Sequence, residues 1–243
     1  RAFLDYRCSI IEEKHILEDK RGYLKDKIGT TGTGTGPANA DRVLRRAKIA
    51  EEIEELRDYL TDVSYEINEI VDKGEDLIVE GTQGTFLSLY HGTYPYVTSK
   101  DVCAAAICSD VGLGPKKVNE VILVFKSFIT RVGEGPLENE LSLEEIEKRN
   151  LKEFGSVTGR LRRVAPFNFN LAKRAIMLNS ATSIALTKLD ILFPEAKGIR
   201  EYKELPSKAK EFVEEIEKRL KIPVTYIGTG PDAFDMIDRR YDH

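Results

Sequence analysis

Along residues 39–73 (NADRVLRRAKIAEEIEELRDYLTDVSYEINEIVDK), Val43, Ala47, Ile53, Leu56, Leu60 and Val63 recur at helical spacing among charged positions, which predicts a long amphipathic helix. Asn39 or Asp41 can cap its start, and Gly74 ends it. The pattern then changes period. Residues 76–80 (DLIVE) form a short apolar run closed by Gly81, as a buried strand does, and residues 118–132 (VNEVILVFKSFITRV) repeat that pattern at greater length. Residues 181–187 and 223–227 are predicted as further strands, and residues 143–148, 168–179 and 207–220 as helices. This alternation predicts one α/β domain over residues 1–243, with a mostly parallel central sheet flanked by helices.

In such a sheet, ligands settle in loops beyond the carboxyl ends of the strands. The loops here are rich in Gly, Thr and Arg. Residues 28–37 alternate Gly29, Gly32, Gly34 and Gly36 with Thr30, Thr31, Thr33 and Thr35, so exposed backbone N–H groups and hydroxyls can cradle an anion ahead of a helix; a flexible turn is the alternative. No GK[ST] follows, so this is not a Walker A loop. Residues 187–190 (TKLD) follow an apolar run, and the Asp190 carboxylate can accept from guanine N1 and N2, a donor pair that adenine lacks. Such a tetrapeptide is also a common accident at a strand end. Residues 156–163 (SVTGRLRR) gather Arg160, Arg162 and Arg163, whose forked guanidinium groups suit a carboxylate or phosphate, or else form a basic surface turn. Gln83 is the only glutamine and sits in a glycine-flanked loop, as an amide reader or a plain turn residue. His91 receives no catalytic role.

Composition narrows the classes. A net charge of −4 argues against a protein that grips nucleic acid or an anionic membrane, so any phosphate site must be local. No apolar run is long enough to span a bilayer and the first residues do not resemble a signal peptide, which makes the cytoplasm the expected compartment. Cys8, Cys103 and Cys108 lack metal-ligand spacing and are expected to be buried free thiols. With 32% charged residues, two Met and no Trp, the chain fits a heat-adapted source that relies on ion pairs.

Taken in order, IGTTGTGTGPANADRVLRRA, VEGTQGTFLSLYHGTYPYVTSKD, VGLGP, TRVGEGP, VTGRLRR, LTKLD and GTGP resemble successive signatures of the adenylosuccinate synthetase family, nearest its compact archaeal form, almost from end to end. The resemblance implies a fold related to the P-loop nucleoside triphosphate hydrolases and a homodimer with shared active sites. It also implies a two-step reaction: GTP phosphorylates O6 of IMP, and the amino group of L-aspartate then displaces phosphate at C6. Carried over by position, Thr31, Gln83, Thr98 and Arg160 contact IMP, while Arg45 reaches the IMP phosphate in the partner's site. Ser156, Val157, Thr158, Gly159, Arg160, Leu161 and Arg162 make the aspartate loop. Arg162, Lys188, Leu189, Asp190, Gly228, Thr229 and Gly230 hold GTP.

Two departures from the family pattern bear on activity. Leu161 stands where the family has a second loop arginine, which removes one positive charge from the aspartate loop. The family's opening strand and GDEGKGK loop, with the general base and its Mg2+, and a later catalytic His are not in this sequence. Neither a catalytic residue nor a metal ligand is therefore expected among these 243 residues, which by themselves are expected to show no turnover. The alternative reading is a non-catalytic guanine- or purine-nucleotide-binding module; a dimeric α/β interaction protein is a third.

Overall fold

A computed structural model describes residues 2–155 and 159–241. The chain divides into two compact units, Arg1–Asn119 with Gly133–Gly135, and Glu120–Val132 with Pro136–His243.

The first unit is largely irregular. It contains helices α1 (Glu13–Asp19), α2 (Thr35–Val43), α3 (Val63–Asp72) and α4 (Ala104–Val111), and two short parallel strands, β1 (Leu4–Asp5) and β2 (Leu60–Thr61). The single helix expected over residues 39–73 is thus broken. Its first part begins at Thr35, capped by Gly34 rather than by Asn39 or Asp41, and stops before Arg45, whose φ of 63° is left-handed and cannot propagate a helix. Ala50–Glu52 and Glu54–Tyr59 wind in 3-10 turns, separated by extended Ile53 and flanked by extended Ile49 and Leu60. Asp62 then accepts from the Tyr65 amide at 3.1 Å and starts α3 afresh. Gly74 closes α3 with φ 78° and donates to the Val71 carbonyl, as expected. Residues 76–80 are not a strand, and Ile78 is 92% exposed. A strand is defined by a neighbour that takes its backbone hydrogen bonds, and none lies alongside this run among the described residues. Cys103 is buried, Cys108 half-buried and Cys8 exposed, so the expectation of buried thiols holds at Cys103 and fails at Cys8.

The second unit holds a four-stranded sheet. The chain runs β3 (Ile122–Lys126), β4 (Phe128–Arg131), α5 (Leu143–Lys148), β5 (Arg163–Pro166), α6 (Phe169–Asn179), β6 (Ser183–Thr187), α7 (Leu189–Leu192), α8 (Ser207–Leu220), β7 (Val224–Gly228) and β8 (Met236–Asp238). Strands β3, β6 and β7 are parallel and β8 closes the edge antiparallel. The α/β expectation holds here, and helix α8 shows why. Its Ala209, Val213, Ile216 and Leu220 fall on one face and are buried with Ile184, Leu186, Val224 and Ile227 of β6 and β7. The apolar run 118–132 serves two sheets. Ser127 donates both its amide and its hydroxyl to the Thr187 carbonyl at 2.9 Å, after which β4 leaves to pair antiparallel with β5.

Candidate functional site

In the first unit, the Gly-Thr loop is pressed onto α1. Asp19, buried, accepts from the Gly34 amide at 2.9 Å, and the Thr30 hydroxyl donates to the Asp19 carbonyl at 3.1 Å. Gly34 has φ 83°, and a β-carbon there would lie 2.9 Å from the Ile16 nitrogen and 3.0 Å from the His15 carbonyl carbon. Only glycine meets both demands. Gly34→Ala is expected to cost about 2 kcal/mol, lowering the melting temperature by several degrees; an unchanged melting curve would show that the loop is not seated on α1. Held this way, the Oγ1 atoms of Thr31, Thr33 and Thr35 form an exposed row with successive spacings of 3.2 Å, at the N-terminus of α2. Hydroxyls and helix N–H groups on one side make a donor-rich surface for an anion.

The other end of α2 is anchored by His15. Its Nδ1 accepts from the Glu12 amide at 2.9 Å, so Nε2 carries the proton and donates to Asp41 at 3.0 Å. Asp41 also pairs with Arg46 at 2.7 Å and Lys14 at 3.2 Å. The His15 hydrogen bond, then those two cations, hold its carboxyl well below the usual carboxylate range. The adjacent arginines therefore differ: Arg46 is tied back to Asp41 of α2, whereas the Arg45 side chain is exposed with no partner among the described residues. Arg45 sits in the turn after α2, not on a long helix.

Gln83 is exposed with φ 69°. Left-handed backbone at a glutamine costs energy and places its amide where the turn, not the side chain's preference, dictates. Thr98 is half-buried and donates its amide to the Leu87 carbonyl at 2.8 Å, which ties it to the turn behind Gln83.

In the second unit, parallel β6 and β7 end at the same edge of the sheet. Thr187 closes β6, Lys188 turns through φ 65°, and α7 carries Asp190, half-buried and without a protein partner among the described residues. Gly228 closes β7 beside Thr187: a β-carbon on it would touch the Thr187 Cα at 3.4 Å. At Gly230 a β-carbon would collide with the Asp235 carboxylate at 2.3 Å. The fold thus brings together residues 187–190 and 228–230. Leu189 is buried, and the Thr229 hydroxyl donates to the Ile199 carbonyl at 2.8 Å, so at these two positions only the backbone faces a ligand.

Ser156, Val157 and Thr158 lie outside the described residues. The flanking chain is a hairpin: Gly155 donates to the Arg160 carbonyl and Arg162 to the Glu153 carbonyl, each at 2.8 Å, with Phe154 bridged to Leu161 and Gly159 at φ 64°. Arg160 is exposed. Arg162 has its Nη1 3.3 Å from Thr130 Oγ1 and 3.7 Å from Glu153.

Lys126 and Glu153, which no sequence motif marks, form an ion pair beside these loops. Lys126 donates to Glu153 at 2.8 Å and to the Thr130 hydroxyl. Burial pushes its pKa down, opposed by Glu153 and assisted by Arg162 and Lys188. A lysine inside an apolar strand run was the available signal, because a buried ammonium requires a partner.

The sequence model of the adenylosuccinate synthetase family matches residues 47–195 and 193–237. The adenylosuccinate synthetase of Pyrococcus horikoshii is 57% identical over 241 residues, covering 99% of this chain and 71% of that protein. That of Methanocaldococcus jannaschii is 57% identical, covering 99% of this chain and 70% of that protein. Among solved structures, the fully ligated adenylosuccinate synthetase from Plasmodium falciparum matches with a TM-score of 0.91 at 24% identity, over 99% of this chain and 78% of that one. The cyanophage S-2L succinoaminodeoxyadenylate synthetase bound to dGMP and dATP as an energy donor matches at 0.78 and 24% identity, over 98% and 68%. At such identity the two structures speak for the fold.

Proposed function

The chain belongs to the adenylosuccinate synthetase family, and from that premise we propose that it works as the GTP-dependent ligase of purine nucleotide synthesis that joins L-aspartate to IMP. Relatives at 53–58% identity all carry that name, and the non-catalytic alternative is not favoured. The observation that carries the reading is the Asp190 carboxylate, without a protein partner among the described residues, at the sheet edge it shares with Gly228, Thr229 and Gly230. A lone acceptor beside glycine backbone is what guanine N1–H and N2–H require.

The roles then follow the chemistry. Lys188 and Asp190 seat the base of GTP, with Leu189 and residues 228–230 contributing backbone. Thr31, Gln83, Thr98 and Arg160 are assigned to IMP, and Arg45 of the partner subunit in a homodimer is assigned to its phosphate. Transfer of the γ-phosphoryl group to O6 of IMP breaks its bond to GDP and converts a poor leaving oxygen into a good one. Arg160 and Arg162 hold the aspartate carboxylates while its amino group attacks C6, phosphate leaves with the former O6, and adenylosuccinate remains. Ser156, Val157, Thr158, Gly159 and Leu161 complete the aspartate loop. Mg2+ supplies charge neutralisation in the phosphoryl step when bound. Among the described residues no cluster of three His, Cys, Asp or Glu side chains is arranged to hold it.

All 243 residues are assigned to one synthetase domain. The cytoplasm is the proposed site of action; among the described residues no helix is long and apolar enough to cross a membrane. Ion pairs one helical turn apart, Glu69–Lys73, Glu145–Arg149 and Glu215–Arg219, support a heat-adapted source.

Labelled IMP tests the reaction. With oxygen-18 at C6, the full-length protein supplied with GTP and aspartate is expected to release all of the label in inorganic phosphate. Label released as water would mean that aspartate attacks without prior phosphorylation, and no adenylosuccinate at all would reject the ligase.

A further inference from the structure

Three cations share one carboxylate in the second unit. Glu153 Oε2 accepts from Lys126 at 2.8 Å and lies 3.7 Å from Arg162; its Oε1 lies 4.0 Å from Lys188. Each cation comes from a different part of the fold. Lys126 ends β3 directly beside Thr187 in the β3–β6 register, Lys188 begins the turn after β6, and Arg162 lies across the hairpin from Glu153. Glu153 Oε1 and Arg162 Nε are both buried and lack a hydrogen-bond partner. Buried polar atoms in that state are costly and gain when a rearrangement pairs them.

We infer that Glu153 is a positioning residue that joins the aspartate loop to the guanine turn, so that occupancy of one site stiffens the other. This rests on the assignment of Arg162 to aspartate and of Lys188 to GTP made above. The physics is electrostatic. With Glu153 in place, the four side chains carry a net charge of plus two, the Glu153 carboxylate lies between the cations, and both Arg162 and Lys188 are drawn to it. Without it, three like charges repel in a partly desolvated cluster, where such repulsion is stronger than in water. Lys126 is the cation most enclosed, so it is the one whose removal relieves the repulsion.

The test uses the full-length enzyme. Glu153→Gln keeps the shape and removes the charge. It is expected to raise KM for aspartate and for GTP together, roughly tenfold each, with KM for IMP unchanged. Calorimetric titration of GTP with and without saturating aspartate is expected to show tighter GTP binding with aspartate in the parent enzyme, and no such gain in the variant. Lys126→Met added to Glu153→Gln restores the net charge of the cluster and is expected to recover most of both KM values; this double variant also carries the comparison if the single one fails to fold. Unchanged KM values in Glu153→Gln would overturn the inference. So would a rise in all three KM values with a lower melting temperature and no recovery in the double variant, which describes a merely structural carboxylate. Arg162→Leu separates the two levels. If it leaves KM for aspartate unchanged, the site assignment is at fault; if it raises that KM while Glu153→Gln does not, only the coupling fails.

Discussion

Arg45→Leu and Arg160→Leu in the full-length enzyme should each reduce adenylosuccinate formation about a thousandfold, because a dianionic phosphate or a carboxylate loses a forked, charge-assisted pair. Mixing the two inactive proteins under conditions that exchange subunits should then restore about a quarter of the sites. The figure follows from pairing: random exchange makes half the dimers hybrid, and each hybrid has one site with both substitutions and one with neither. The expectation rests on how differently the two residues are held. Arg45 lies in the left-handed turn after α2, its side chain exposed and without a partner among the described residues, while its neighbour Arg46 is tied back to Asp41. Arg160 belongs to the hairpin of the second unit. Leucine keeps the β-carbon that arginine already carries at φ 63°, so Arg45→Leu adds no backbone strain and the loss can be ascribed to the guanidinium. No recovery despite demonstrated exchange would place both arginines in the site of one subunit.

Asp190→Asn is expected to lower kcat/KM for GTP about a hundredfold and to make xanthosine triphosphate the better donor. The carboxylate accepts from N1–H and N2–H; an amide turned toward the base presents N–H groups to those donors and leaves buried groups unpaired. Xanthine carries a carbonyl at position 2, which accepts from the new amide. Backbone and neighbours should be indifferent to the exchange, since Asp190 makes no bond to the protein among the described residues and Leu189 anchors the turn in the core. Measured kcat/KM for the two donors decides it. An unchanged preference for GTP would remove residues 187–190 from the guanine site.

Where a signal is local, the sequence by itself determined the structure. Helix α8 spans the residues its apolar spacing marks, because Ala209, Val213, Ile216 and Leu220 need only one face to bury. Helix α5 begins at the Ser142–Glu145 capping box and α6 at the Asn168 cap, each satisfied within three residues. The glycines of the signature loops were legible in the same way, Gly32 and Gly34 standing where the backbone is left-handed and Gly230 where the Asp235 carboxylate leaves no room for a β-carbon, whereas that Asp190 has no protein partner among the described residues could not be read from TKLD. The tertiary structure decided whatever depends on a partner distant in the chain. Residues 39–73 carry helical spacing, yet left-handed Arg45 and the capping of α3 by Asp62 divide them. Residues 76–80 have the apolar content of a strand and no neighbour beside them among the described residues. Residues 118–132 look like one strand but serve two sheets, since Ser127 spends its hydrogen bonds on Thr187, sixty residues away. The same holds for Glu153: its cations stand at positions 126, 162 and 188, and only the β3–β6 register and the hairpin bring them to one carboxylate. Period, caps and turn residues are properties of a few consecutive side chains, whereas strand pairing and buried charge clusters are settled by which distant groups the packed chain leaves to satisfy one another.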